Sequence, residues 1–113
     1  MTVTIYHNPR CNTSRKTLAL LEKKGAKPQV IEYLKTPPSA TELKQLLMKL
    51  GMKPRDLLRK KEAKEAGLDK PDLSDAQLIA GMAKHPIAIE RPIVVKGNRA
   101  ALGRPPEAVL KIL

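Results

Sequence analysis

The hydrophobic period changes twice within the first 34 residues, and that change fixes most of what the chain can become. Val3 and Ile5 alternate with Thr2, Thr4 and Tyr6, the two-residue period of a half-buried strand. His7-Asn8-Pro9-Arg10 breaks that pattern. Residues 12–24 then run helically with Leu18 and Leu21 on one face, and Gly25 stands where a glycine ends a helix. Val30-Ile31-Glu32-Tyr33-Leu34 reads as a second strand. Two strands joined through a helix lie parallel, with a right-handed crossover.

The rest of the chain supplies helices and then a hairpin. Lys35-Thr36-Pro37-Pro38 is a loop, and Ser39-Ala40-Thr41-Glu42 has the spacing of a capping box. Leu43, Leu46, Leu47 and Leu50 follow on one helical face, closed by Gly51. A short helix is predicted from Pro54, carrying Leu57, Leu58 and Arg59. Lys60 to Leu73 is charged and poorly patterned. Ser74-Asp75-Ala76-Gln77 is a second capping box, continued by Leu78, Ile79 and Met82 and stopped by His85-Pro86. Ile93-Val94-Val95 is a short buried strand. Gly97-Asn98 turns it back into Arg99–Leu102. Pro105 opens a last helix with Val109, Leu110 and Leu113 facing in. The order is β-α-β, a helical insert, a β-hairpin and a C-terminal helix. This is an α/β fold with a mixed sheet in a thioredoxin-like layout. The 113 residues suit one domain, spanning 1–113. With no Trp, no Phe and only Tyr6 and Tyr33, the core is aliphatic.

Charge and cysteine usage narrow the function. The formal charge of +11 makes anions candidate partners, but most lysines are spread along helices, the pattern of a solvated basic surface. The scarcity of aromatics argues against a single-strand nucleic-acid platform, and no zinc-finger, helix-turn-helix or RNP pattern is present. No nucleic-acid or membrane partner is therefore expected. A monomer is the simplest state for a chain of this size. The start of the chain does not read as a signal peptide, and no apolar run approaches the roughly 20 residues of a membrane helix. One cysteine allows no internal disulfide, which favours a reducing compartment; a cytoplasmic location is expected.

Cys11 falls between a strand end and a helix start. Unpaired N–H groups and the positive end of the helix dipole favour a thiolate there, and the same groups can hold an anion. Arg10 and Arg15 add positive charge. A buried structural cysteine is the competing reading, but His7, Asn8, Arg10, Asn12, Thr13 and Ser14 are too polar for a core packing site. Cys11-Asn12-Thr13-Ser14 has the spacing of a redox C-x-x-C motif with Ser14 in the second place. Ser14 cannot resolve a mixed disulfide, so any redox cycle draws on outside thiols. Cys11, His7 and distant His85 do not make a metal-ligand set, and no bound cofactor is expected.

The string Tyr6-His7-Asn8-Pro9-Arg10-Cys11-Asn12-Thr13-Ser14-Arg15 resembles the active-site loop of the glutaredoxin-linked arsenate reductase family. Leu57-Leu58-Arg59-Lys60, Glu90-Arg91-Pro92-Ile93-Val94-Val95 and Gly103-Arg104-Pro105-Pro106-Glu107 resemble that family's three arginine segments, in family order. The resemblance implies that Cys11 attacks arsenate and carries a thiol-arsenate intermediate. Glutathione, as co-substrate, then acts on that adduct, and glutaredoxin clears the mixed disulfide. It implies that Arg59, Arg91 and Arg104 bind the oxyanion and that His7 helps keep Cys11 ionised. Asn8 and Ser14 shape the loop, and Pro92 is the cis-proline opposite the cysteine. An arginine fork suits a tetrahedral dianion, and fixed positive charge favours the thiolate.

The chain departs from the best-known members in carrying Arg10 and Asn12 beside the cysteine, where those have small residues. Its segment between Arg59 and Leu68 is shorter, and the sequence stops directly after the last helix. These traits resemble a compact branch of the family. Two other functions fit the fold. A monothiol reductase of glutathione mixed disulfides needs Cys11 without the arginines. A non-enzymatic regulator binding RNA polymerase typically carries a C-x-x-C switch, which Ser14 denies here.

Overall fold

The computed structural model describes residues 2–113. They form two compact units: the residues up to Thr36 together with Arg91–Leu113, and the intervening Pro37–Glu90.

The first unit holds the sheet. Its elements are β1 (Val3–His7), α1 (Asn12–Lys23), β2 (Gln29–Glu32), β3 (Ile93–Lys96) and β4 (Arg99–Leu102). The strand order is β2-β1-β3-β4. β1 and β2 are parallel, while β3 runs antiparallel to both β1 and β4. This is the mixed, thioredoxin-like sheet that the hydrophobic periods predict. β1 runs one residue further than its apolar pattern, because His7 shares the buried face of Val3 and Ile5 and pairs with Glu32. β2 stops short of the predicted Leu34. The Glu32 carbonyl accepts the N–H groups of Lys35 and Thr36 at 2.9 and 3.0 Å, so Tyr33 and Leu34 leave in a turn. In the β3–β4 hairpin Gly97 takes φ 61°, the left-handed start that a tight two-residue turn requires.

Val3, Ile5, Leu21, Val94, Ala101, Val109 and Ile112 make the core of this unit. Burying Leu21 completely stabilises the unit by about 2 kcal/mol. Two apolar faces differ from their sequence reading. On α1 the buried positions are Ser14, Thr17 and Leu21, with Leu18 only partly covered. Thr17 tolerates full burial because its hydroxyl donates to the Thr13 carbonyl at 2.8 Å. The C-terminal segment, Pro106–Ile112, is a 3-10 helix instead of an α-helix. Three residues per turn align Val109 with Ile112 on the inner side and carry Leu110 and Leu113 towards solvent.

The second unit is helical, with α2 (Ala40–Leu50), α3 (Lys60–Glu65) and α4 (Asp75–Lys84). Both capping boxes are present: Ser39 with Glu42, and Ser74 with Gln77. Leu43, Leu46 and Leu47 of α2 and Leu78, Ile79 and Met82 of α4 are buried. Ala63, Leu68, Leu78 and Ala88 form a small core. The helix predicted from Pro54 is a single 3-10 turn ending at Leu57. Leu58 and Arg59 are extended, because this stretch pairs with the segment around Ile89. The Arg59 N–H bonds to the Ala88 carbonyl and the Glu90 N–H to the Leu57 carbonyl, both at 2.8 Å. Among the described residues, no helix is long and apolar enough to cross a membrane.

Gly103 is the tightest point of the sheet unit. A Cβ there would lie 2.7 Å from Thr17 Oγ1 and 2.8 Å from Pro92 Cγ, two side chains with little freedom to retreat. Gly103→Ala is expected to destabilise the protein by about 1–3 kcal/mol, read as a lower urea midpoint at unchanged slope.

Candidate active site

Cys11 occupies the N-cap position of α1 with extended backbone (φ −94°, ψ 121°). Its N–H bonds to the Asn8 carbonyl and its carbonyl accepts the Arg15 N–H, both at 3.0 Å, which close the loop and begin the helix. No acidic residue lies in the first turn of α1. The positive end of the helix dipole is thus left to the thiol.

The loop is held from beneath by buried polar side chains. Ser14 is fully buried, and its Oγ lies 2.6 Å from His7 Nδ1 while accepting the Asn8 N–H at 3.1 Å. The Asn8 side-chain oxygen accepts the Arg10 N–H at 3.0 Å. From the solvent side, Arg15 donates through Nη1 to the Pro9 carbonyl at 2.9 Å and through Nη2 to the Asn12 side-chain oxygen. Asn12 is therefore tied into the same turn.

Two arginines converge on the sulfur. Arg104 reaches Cys11 Sγ with Nη2 at 3.7 Å, and its Nε donates to the Arg91 carbonyl at 2.7 Å. The buried Arg91 also donates its side chain to the thiol. Burial is the largest influence on Cys11 and pushes its pKa up. Hydrogen bonds from the Ser14 amide and the Arg91 side chain, the Arg104 charge and the Thr13 amide together outweigh it, and the net pKa falls below the ordinary 9.0. The Arg91–Pro92 peptide bond is cis, as the resemblance implies; Arg104–Pro105 is cis as well. The Gly103 N–H bonds to the Pro92 carbonyl at 2.9 Å, joining the two arginine segments.

His7 is bound to Ser14 and not to the sulfur. Burial lowers its pKa from 6.5, Glu32 raises it and Arg15 lowers it, for a net decrease. Near neutral pH the ring is uncharged. The positive charge at the thiolate comes from Arg91 and Arg104, and His7 acts one residue removed, by holding Ser14.

Arg59 belongs to the helical unit, directly before α3. Its Nε binds Glu62 at 3.1 Å and its Nη1 binds Glu90 at 3.4 Å, with all three side chains partly covered. The three predicted arginines thus fall into a pair brought onto Cys11 and one gripped by two carboxylates. Glu62 was legible as an i,i+3 partner of Arg59; Glu90 was not, since only the pairing at Ile89 brings it there. Glu32 likewise carried no signal as a neighbour of His7 until the β1–β2 register was known.

Comparisons with known proteins give the chain's relatives. Residues 6–112 match the model of the ArsC family. The chain is 56% identical to a solved arsenate reductase from Vibrio cholerae, covering 100% of this chain and 98% of that one with a TM-score of 0.96. It is 48% identical over 116 residues to an arsenate reductase from Haemophilus influenzae, covering both chains completely. It is also 50% identical over 114 residues to the uncharacterized protein YfgD of Escherichia coli K12, covering 98% and 96%.

The Arg104 charge and hydrogen bond stabilise the thiolate over the thiol, so removing them raises the Cys11 pKa. Alkylation of Arg104→Ala by iodoacetamide at pH 7 is expected to be several-fold slower than wild type, with the pH–rate midpoint moved upward. An unmoved midpoint would contradict this account of the sulfur.

Proposed function

The chain belongs to the ArsC family, and on that footing we propose that it reduces arsenate to arsenite with Cys11 as its nucleophile. The observation that carries the reading is the convergence of the Arg91 and Arg104 side chains on one sulfur at the start of α1. Anion-binding groups and a thiolate occupy one place there, which an oxyanion-attacking thiol requires.

In the proposed reaction the Cys11 thiolate attacks arsenic, an As–S bond forms, and an arsenate oxygen leaves as water after protonation. Reduction of As(V) to As(III) takes two electrons, which two thiols supply. The chain has one cysteine, so the second thiol is external. Glutathione fills that part: arsenite is released, and Cys11 and glutathione are left as a mixed disulfide. Glutaredoxin with further glutathione returns Cys11 to the thiol. This cycle belongs in a reducing cytoplasm, where such donors are kept reduced.

The arginines act twice. They hold the thiolate before attack and offset the charge on the arsenate oxygens as attack proceeds. Arg104 is already aimed by its Nε bond to the Arg91 carbonyl, so little reorganisation accompanies the step. Arg59 enters only through the family resemblance, as a further oxyanion ligand. Asn8, Ser14, His7 and Pro92 shape the loop.

The test is arsenate-dependent NADPH oxidation with glutathione, glutaredoxin and glutathione reductase supplied. Cys11→Ser abolishes turnover, and Arg104→Ala lowers kcat/KM by about 10²–10³-fold. A wild-type protein whose cysteine alkylates readily but turns over no arsenate overturns arsenate as the substrate. Turnover of glutathione mixed disulfides that survives Arg104→Ala points instead to a monothiol reductase.

A further inference from the structure

Arg15 stands where a helix disfavours it. Its N–H bonds to the Cys11 carbonyl and closes the first turn of α1, at the positive end of the dipole, with no acidic residue in that turn. A cation there needs compensation, and it comes from hydrogen bonds. Side chains on a helix lean towards its N-terminus, which carries the Arg15 guanidinium back over the loop. Nη1 donates to the Pro9 carbonyl at 2.9 Å and Nη2 to the Asn12 side-chain oxygen. Both acceptors are neutral oxygens of the loop itself. Bonds to them from a charged donor are stronger than bonds between neutral groups.

The two acceptors flank the residue that carries the sulfur: Pro9 precedes Cys11 across Arg10, and Asn12 follows it directly. The other bonds of the loop do not duplicate this bridge. His7 and Ser14 join β1 to α1 from beneath. Asn8 takes the Cys11 N–H on its carbonyl and the Arg10 N–H on its side chain. None of these bonds involves Pro9 or the Asn12 side chain. Arg15 also differs from the arginines that serve the sulfur. Arg91 and Arg104 donate to Cys11, whereas both arms of Arg15 end on oxygen.

We propose that Arg15 is a positioning residue: its guanidinium clasps Pro9 to Asn12 across the solvent face of the loop, and so holds Cys11 where its sulfur meets the oxyanion. A fork is required for this. The two Nη atoms of one planar group reach two acceptors at once, whereas a lysine ammonium is a single point on a flexible stem. Positive charge alone does not close the clasp. Misplacing a reacting group by 1 Å lowers the rate by as much as about 10²-fold, so two bonds at the edge of the loop bear on turnover.

The proposal rests on the reading of Cys11 as the nucleophile towards arsenate, and the two fail separately. The first test needs no substrate. Amide hydrogen exchange of Arg10 and Cys11, read by NMR, is expected to quicken about five- to tenfold in Arg15→Lys and in Arg15→Gln. The amides of the paired core residues Ile5 and Val94 keep their wild-type rates. Asn12→Ala opens one arm, so it gives a smaller increase, and it adds nothing in an Arg15→Gln background. The second readout is the pH–rate profile for iodoacetamide. A loosened loop holds the sulfur less well against the Thr13 and Ser14 amides, so the midpoint moves up in Arg15→Lys although the charge is kept. In arsenate turnover by Arg15→Lys, kcat falls about tenfold while KM for arsenate and for glutathione stays within about twofold. Loop exchange at the wild-type rate in Arg15→Gln overturns the proposal. A lysine variant that matches wild type in exchange and alkylation also overturns it and leaves Arg15 a simple charge. A raised KM for glutathione at unchanged kcat overturns it too, and makes Arg15 a contact for the co-substrate. Wild type that turns over no arsenate sinks the arsenate reading instead, and exchange and alkylation still decide the clasp.

Discussion

The 2.6 Å contact between His7 and Ser14 is the joint on which the site depends. It ties the last residue of β1 to the first turn of α1, across the loop that carries Cys11. Both partners are buried, so an unmade bond would leave polar atoms stranded in an apolar surround. That cost is what makes the loop rigid. With β1 and α1 fixed to each other, the amides of Thr13 and Ser14 point at one place, and the cysteine is set in front of them. Everything else converges there: Arg104 from the turn after β4, and Arg91 from the entry to β3.

Burying a guanidinium is costly unless its surroundings return the lost hydration. Arg91 meets this requirement partly through the sulfur, which it helps keep ionised. The relation is mutual: the arginine stabilises the thiolate, and the thiolate is the counter-charge that makes the buried arginine tolerable. Arg104 is treated differently. Its Nε is spent on a backbone carbonyl, so its direction is fixed by that hydrogen bond and one Nη is left on the sulfur. A single guanidinium thus serves as strut and as charge. Arg59 shows a third treatment, two carboxylates around one cation, and its positive charge is balanced before any ligand arrives.

Periodicity and capping made the fold legible. The β1–α1–β2 crossover, the two capping boxes and the Gly97 turn are all local signals, and the structure has them where the sequence puts them. What escaped was set by tertiary pairing. Leu58 and Arg59 carry a helical pattern but are pulled straight by Ile89. Leu110 and Leu113 have the right character for a core but the wrong phase, since the segment winds with three residues per turn. In α1 the buried face begins with Ser14 and Thr17, which hydropathy assigns to solvent. At the site, Cys11, Arg91 and Arg104 were visible through their strings. Glu32 and Glu90 were not, because each acquires its partner only through strand register or pairing.

The distribution of charge explains why so small a unit can do anion chemistry. Of the eleven carboxylates, eight lie in the helical unit, where they nearly balance its ten lysines and arginines. The sheet unit keeps almost the whole excess. Summed fields of this kind draw anions towards a surface without regard to their identity. They cannot by themselves distinguish a nucleophile from a bystander, because the same field that attracts an oxyanion also over-stabilises the thiolate and dulls it. A site that must both bind an anion and attack it therefore depends on directed groups as well as on the summed field, and Arg104 Nη2, 3.7 Å from the sulfur, is one of them.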